Sequence, residues 1–542
     1  MSATSRMDSG RPLLPDARTA RREPAVTLRI RDTLTREVRP IEPLEPGRVR
    51  MYTCGPTVYR YAHVGNLRSY LLADLIRRVL LYHGLQVFHV KNITDVGHLR
   101  DDQFDRGEDR MLVQAGLEHK SSEEIAAAYE AAFHADEALV NILPAQVFPR
   151  ATEHIAEMLD VAERLEDAGH AYRTDHDNVY YAVATFEDYG RLSGNTLDDL
   201  RAGHRTEGHV EHDKRDAADF ALWKSAGERR ALKWPSRWGD GYPGWHLECS
   251  AMALRYLGER FDIHTGGIDN VFPHHEDEIA QSAPLVGGPP ATVWVHGEHL
   301  LMSGRKMAKS AGNFERVTEL LERGIDPLAL RYLALTSRYR HKLDYSEESV
   351  GAAAAALDSL RSRLRALAAP PPDGPWAAPP TVRAAPSGDR PEGISTDAAG
   401  HGNGVVPELS DRAHAPRASL SPAGREIHDR FAAALDDDLD TSTAVAIARE
   451  ALRAPIPDDE KRWLVLDFDF VLGLDLDRVW EASAGAGDIP ADVQERLEAR
   501  AAARAARDYA TSDAIREDLA ARGWDVIDSP EGSTVKPKVG TR

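Results

Sequence analysis

Cysteine is almost missing from this chain: 542 residues hold two, Cys54 and Cys249. A disulfide scaffold is therefore excluded, and a reducing cytoplasm is the expected setting. No run of about 18 apolar residues occurs, which rules out a membrane-spanning helix. The opening stretch, Met1 to Pro24, mixes Arg, Asp, Ser and Pro without an apolar core, so no secretory signal is expected. Positive charge is in deficit, 67 Lys and Arg against 87 Asp and Glu, for a net charge of -20. That disfavours a protein that coats nucleic acid by bulk charge, yet it leaves room for a nucleic-acid substrate on a local basic patch. What remains, 42% hydrophobic and 28% charged, is ordinary for a globular protein. At roughly 150 residues per domain, the length suits three to four domains.

The pattern along the chain is α/β. Val26 to Ile30 and Arg48 to Tyr52 read as short strands, and the second runs into the breaker Thr53-Cys54-Gly55-Pro56-Thr57. After His63-Val64-Gly65-Asn66, the stretch Tyr70 to His83 is apolar at helical spacing, and Gly84 ends it. Gln86 to Ile93 reads as a buried strand. This strand–loop–helix–strand unit is the start of a parallel sheet. Ser121 to Ala168 is mostly helical, Tyr172 to Val183 is β-like, and the polar stretch Leu192 to Arg229 reads as a loop-rich insertion. Gly244 to Leu257 is a loop leading into a helix, Phe261 to Ile263 and Val293 to His296 are strands, and Leu301 to Asn313 is a loop. Ser346 to Ala369 is an alanine-rich helix. Pro370 to Ala423, rich in Pro, Gly, Ser and Ala, reads as a linker. Helices return over Arg425 to Arg453, Asp458 to Leu472 and Pro490 to Arg522, followed by a short tail.

Three places could carry chemistry. Cys54 lies just past a strand, where the C-terminal edge of a parallel sheet meets its ligand. Cys249 lies in Gly244-Trp245-His246-Leu247-Glu248-Cys249, and Pro273-His274-His275-Glu276-Asp277-Glu278 follows. His274 and Glu278 are four apart and share one face of a helix. Two thiolates, an imidazole and a carboxylate form a zinc-type ligand set; buried filler cysteines and a polar helix start are the bland alternative. At the second place, His63 to Asn66 opens a helix after a strand. Free N–H groups and the helix dipole there favour phosphate, His63 and Asn66 add donors, and Gly65 admits a flat base. At the third, Lys306 and Lys309 flank a small apolar pair in Gly304-Arg305-Lys306-Met307-Ala308-Lys309-Ser310. They could fold over a polyphosphate or belong to a solvated basic loop.

Taken together, these segments resemble the class I aminoacyl-tRNA synthetases, and specifically the cysteinyl-tRNA synthetase family, over roughly Leu28 to Ala369 and Phe431 to Gly532. Met51 to Tyr59 is similar to the family's first zinc segment, His63 to Asn66 to its adenylate signature, and Gly244 to Met252 to its second zinc segment. Lys306 to Ser310 is similar to its mobile lysine signature, with Ala308 where Ser is usual. The resemblance implies a Rossmann-type parallel-sheet catalytic core, split by an insertion and followed by helical C-terminal domains. It implies ATP-dependent attachment of L-cysteine to its tRNA through a cysteinyl-adenylate. One Zn2+ on Cys54, Cys249, His274 and Glu278 would select the substrate thiol, with Mg2+ accompanying ATP. Thr94, Trp245, His264 and Asp269 would line the amino-acid pocket. His63 and Asn66 would stabilise the α-phosphate, with Gly65 beside the nucleotide, and Lys306 and Lys309 would hold pyrophosphate.

On this basis the chain divides into a disordered leader (1–25), the first half of the catalytic core (26–125) and an inserted segment (126–235). The second half of the core (236–300) and the lysine loop with stem-contact helices (301–369) follow. A linker (370–424), a helical bundle (425–489) and a small anticodon-contact region (490–542) complete it. Arg496, Arg500, Arg504 and Arg507 line one helix face, either solvated or contacting tRNA. Arg338 to Lys342 is a second basic patch. The expected partners are ATP, L-cysteine and tRNA for cysteine, without a membrane, and a monomer is expected rather than a dimer. Arg60, Val96-Gly97-His98, Asp277 and a tail without Trp depart from the family pattern. Two other readings compete: a cysteine ligase acting on a non-tRNA amine, which the long C-terminal part argues against, and a non-catalytic zinc- and nucleotide-binding paralog.

Overall fold

The computed structural model describes residues 28–96, 121–198, 213–227, 230, 232–302, 304–306, 314–384, 419–481, 491–506, 508–522, 524–529 and 532–537. The leader, Val96's neighbours Gly97 and His98, Lys309, most of the linker and Arg507 lie outside them.

A small antiparallel pair, β1 (Arg29–Asp32) with β2 (Glu37–Pro40), precedes β3 (Arg48–Thr53), α1 (Val64–Tyr82) and β4 (Gln86–Lys91). Helices α2 (Ser122–Leu139) and α3 (Ile155–Asp167) follow. Next comes an antiparallel sheet of β5 (Ala171–Arg173), β6 (Val179–Tyr181), β7 (Phe220–Ser225) and β8 (Gly241–Pro243). The chain then returns through α4 (Trp245–Leu257), β9 (Phe261–Gly267), α5 (Glu276–Val286) and β10 (Ala291–Gly297). The central sheet has the order β10-β9-β3-β4, and every pairing in it is parallel. Its strands are buried on both faces, as their near-continuous apolar runs demand: Met51 and Tyr52, Ile263, and Val293 to Val295 are all fully buried. The antiparallel sheet thus splits a parallel core in two. Phe220 to Trp223 is a strand within the stretch expected to be loop-rich. Its buried Phe220, Leu222 and Trp223 pair it between β6 and β8, and its polar flanks mask the pattern in sequence.

After the core, β11 (Leu300–Met302) and β12 (Arg305–Lys306) form a short antiparallel pair, with Gly304 between them at a φ of 73°. This is structure where a plain loop was expected. Strand β13 (Leu343–Tyr345) adds parallel to β11. Helices α6 (Val317–Glu322), α7 (Leu328–Leu335) and α8 (Glu347–Arg365) surround it, then a bundle of α9 (Pro422–Asp436), α10 (Thr441–Ala451) and α11 (Asp458–Leu472). The last described part is α12 (Ala491–Ala505), α13 (Tyr509–Ala521) and a hairpin of β14 (Trp524–Ser529) and β15 (Gly532–Pro537). It has its own small core of Val493, Leu497, Leu519 and Val526.

Core and bundle are joined by a buried polar hub. Asp74 of α1 pairs with Arg78 at 2.8 Å and with Arg331 of α7 at 2.7 Å, and accepts from the Leu143 N–H at 2.9 Å. Arg78 also donates to the Phe470 carbonyl and Arg331 to the Leu472 carbonyl, both on α11. Each charge here is matched by hydrogen bonds, the condition under which buried ions are tolerated. The helix that presents the His63 turn is thereby fixed to the bundle. Among the described residues no helix is long and apolar enough to cross a membrane.

Candidate active site

The C-terminal edge of the central sheet gathers the cysteines. Cys54 follows β3, and Cys249 sits one turn into α4. His274 lies in a wide turn, Val271–His275, that runs directly into α5, where Glu278 occupies the first turn. One donor atom from each of these four lies within 4.8 Å of all the others. The two sulfurs are 3.7 Å apart, Cys54 Sγ is 3.6 Å from Glu278 Oε1, and His274 Nε2 is 3.0 Å from the same oxygen. A tetrahedral ion bonded to two thiolates at about 2.3 Å would put the sulfurs about 3.7 Å apart. The donor set and its spacing therefore fit a zinc-type ion.

The electrostatics agree. Burial pushes the Cys54 thiol up. Burial also opposes ionisation of Cys249, but the hydrogen bond from Cys54 and the nearby His274 charge outweigh it and bring that thiol down. Burial works against a charged His274, yet Cys249 and Glu278 hold its proton far above the usual imidazole range. Burial likewise opposes an ionised Glu278, and His264 and His274 hold it at about 2. Without metal, the site so keeps a proton on His274 between two anions. A divalent cation replaces that charge.

A second set, Cys54, His264, His275 and Glu278, is equally compact. In it His275 Nε2 faces Cys54 Sγ at 3.2 Å, but the set offers one thiolate where the first set offers two. His264 Nε2 meets Glu278 Oε2 at 2.9 Å, and His275 Nδ1 meets His296 Nε2 at 2.7 Å, which in turn meets Thr33 through Nδ1 at 2.7 Å. Contacts of this kind orient carboxylates and imidazoles at metal sites. Nothing but proximity in space marks His275, His296 and Thr33, so sequence reasoning passed over the latter two.

The expected pocket residues surround this cluster. Trp245 stacks on His274, ring centroids 4.6 Å apart, and Trp294 stacks on His264 at the same distance. Thr94 is buried and donates to Glu248 at 2.8 Å. Asn92 accepts from the Gly55 N–H at 2.8 Å and lies 3.6 Å from Cys249 Sγ. A Cβ on Gly55 would stand 1.7 Å from the Asn92 carbonyl oxygen, so only glycine lets the Cys54 loop approach this closely. Asp269 is exposed in a short turn, Ile268–Asn270, at the end of β9. Asp277 accepts from Tyr189 at 2.5 Å, and burial raises it far above the usual carboxylate range.

His63 caps α1. Its Nδ1 accepts from the Asn66 N–H at 3.1 Å, and Asn66 Oδ1 accepts from the His63 N–H at 3.2 Å. A neutral ring accepting at Nδ1 carries its proton on Nε2, which is the donor a phosphate needs. The first turn of α1 holds no acidic residue to compete with an anion. Gly65 lies between them, half-buried. Lys306 is on β12, paired through its backbone with Leu301.

Both basic stretches differ from their expected form. Arg500 is buried, and Arg496 reaches Asp518 of α13 at 2.5 Å, so the arginine stripe faces α13 and only Arg504 of the described members is exposed. Arg338 pairs with Asp437 and Asp440, and Arg340 and Tyr339 both bind Asp438. The loop after α9 thus pairs Arg338 and Arg340 of the second patch and leaves His341 and Lys342 exposed.

A parallel sheet split by an antiparallel insertion, with a helix-capping His63 turn at its edge, is the architecture of the class I tRNA synthetases. Residues 40–355 match the model described as tRNA synthetases class I (C) catalytic domain. Residues 486–535 match the cysteinyl-tRNA ligase anticodon binding domain. Cysteine–tRNA ligase 1 of Burkholderia lata is 42% identical over 508 residues, covering 93% of this chain and 96% of its own. The cysteine–tRNA ligase of one Thermus thermophilus strain is 39% identical, covering 93% and 98%. That of Salinibacter ruber is 38% identical, covering 94% and 98%. The chain belongs to the cysteine–tRNA ligase family.

Proposed function

We propose that this chain joins L-cysteine to its tRNA at the expense of ATP, with Cys54, Cys249, His274 and Glu278 holding one zinc ion. The convergence of those four donors, from segments up to 224 positions apart, carries the reading. Zinc, when bound, supplies a coordination position that a thiolate fills and a hydroxyl does not, so serine is rejected at binding without an editing site. Thr94, Trp245, His264 and Asp269 line the amino-acid pocket, and Asp269 receives the substrate ammonium.

The nucleotide end works by position and charge. His63 Nε2–H and the Asn66 amide donate to the α-phosphate as the cysteine carboxylate attacks it, and the α1 dipole adds to them. Gly65 leaves room for the nucleotide. Lys306 and Lys309 hold the departing pyrophosphate, which travels with Mg2+. The terminal ribose hydroxyl of tRNA then takes the cysteinyl group from the adenylate. No side chain serves as a covalent nucleophile. The enzyme works as a cytoplasmic monomer.

The deciding experiment is transfer of labelled cysteine to total tRNA with ATP and Mg2+. Charging with cysteine and not serine is the expected result. Cysteine-dependent ATP–pyrophosphate exchange without charging would replace tRNA by another acceptor. Neither activity, in folded and zinc-loaded protein, would overturn the catalytic reading.

A further inference from the structure

Residues 314–316, directly after the lysine segment, form a strap against the turn that precedes α1. The Glu315 carbonyl accepts the Val64 N–H at 3.0 Å, so one of the free N–H groups of the α1 terminus is taken up by the strap. Phe314 packs edge-on against His63, ring centroids 5.5 Å apart. Arg316 locks this arrangement. Its guanidinium lies 3.6 Å from the ring centroid of Tyr61, which is 41% exposed and packs edge-on against Tyr129 of α2 at 4.7 Å. Arg316 also lies 3.7 Å from Asp136 of α2. Asp136 is 1% exposed, and neither carboxylate oxygen has a hydrogen-bond donor among the described residues. Its burial, only partly offset by Arg316, raises it to about 6.

We propose that Arg316 is a positioning residue for adenylate formation. It holds the strap, and through the strap His63 and the α1 N-terminus, in the geometry that receives the α-phosphate. The inference rests on the function proposed above. Two elements meet on this one side chain, the turn at Tyr61 and helix α2 at Asp136, and its backbone N–H donates to Glu319 at the start of α6. A residue serving only stability would not be expected to separate ATP from cysteine. Arg316 touches nothing of the thiol cluster, so its loss falls on the nucleotide end alone.

The test is cysteine-dependent ATP–pyrophosphate exchange by the full chain, with zinc content and Tm recorded for each variant. Arg316→Ala is expected to lower kcat/KM for ATP by about tenfold, leaving the KM for cysteine within about twofold and zinc content unchanged. Tyr61→Ala removes the ring under the guanidinium and should act in the same direction, and the double variant should be worse than Arg316→Ala by less than the two single effects combined, because the singles share that contact. Tyr61→Phe keeps the ring and should match the wild type. Arg316→Lys keeps a cation over that ring and beside Asp136 and should recover activity to within about threefold. Unmoved ATP constants in Arg316→Ala would overturn the proposal, as would ATP and cysteine constants falling together, or a Lys variant no better than Ala. If Arg316→Ala fails to fold, the two Tyr61 variants decide. Absence of exchange in the wild type would instead overturn the function itself, so the two failures are distinct.

Discussion

Glu278→Gln tests the metal site most sharply, because it keeps the shape and removes the charge. The two carboxylate oxygens divide their work: Oε1 faces His274 and Cys54, and Oε2 accepts from His264 at 2.9 Å. An amide has one acceptor and one donor end. Whichever way the introduced amide turned, its NH2 would oppose either the His264 N–H or the cation seat. The unsatisfied contact costs about 1–3 kcal/mol, and losing a charged partner about as much as a charge-assisted bond, 1.5–3 kcal/mol. A total of about 2.5–6 kcal/mol corresponds to a zinc Kd raised roughly 10²- to 10⁴-fold. Competition with a chromogenic chelator at pH 7.5 measures that constant, and metal analysis after dialysis gives stoichiometry. The Tm of the metal-free protein should fall by much less than the loss of zinc binding implies. A zinc Kd within threefold of the wild type would refute the assignment of Glu278 as a ligand, and with it both four-residue sets that contain it.

His63→Ala removes one phosphate donor and a helix cap. Adenylate formation should fall about 10²- to 10³-fold in stopped-flow or exchange assays, while stability falls by about 1 kcal/mol. Asp74→Asn leaves Arg78 and Arg331 facing a neutral amide, and urea unfolding at pH 7 should show a loss of about 3–5 kcal/mol. Asp74 is opposed by burial but held by Arg78 and Arg331 below the ordinary carboxylate range. Its folded pKa is thus depressed, so its contribution is present above about pH 4 and lost as pH falls through the folded value; the gap between wild type and Asp74→Asn should narrow there. Arg504→Ala should raise the KM for tRNA and reduce the salt dependence of binding by about one counterion. Arg500→Ala should lower the Tm of the C-terminal region instead, because Arg500 is buried.

Local patterning made the parallel core readable. The apolar runs at Arg48 to Tyr52 and Gln86 to Ile93, and the helical spacing between them, announce one βαβ unit, and the structure has it at nearly those bounds, Arg48–Thr53 and Gln86–Lys91. Asp458–Leu472 matches its helix to the residue. Strand β7 escaped because its pairing is with β6 and β8, which no local window contains. The hairpin of β14 and β15 is local, its strands two residues apart, and was read as a tail because those strands are largely polar. The arginine stripe shows the limit on a surface: helical spacing puts Arg496, Arg500 and Arg504 on one face, but what covers that face is α13, and burial is a property of the pair.

The site divides the same way. The types and order of the candidate ligands were written in the sequence, since two cysteines and a His–Glu pair four apart are covalent facts about the chain. The sequence alone could not say which imidazole faces which partner. His264, His274 and His275 are chemically alike, and only the register of β9 beside β10 and the turn into α5 gives them different partners. The strap from Phe314 to Arg316 is likewise invisible until folding brings it to Tyr61 and Asp136. Residue type fixes what a group can do, whereas distance and desolvation, which exist only once the chain is packed, decide whether it does so.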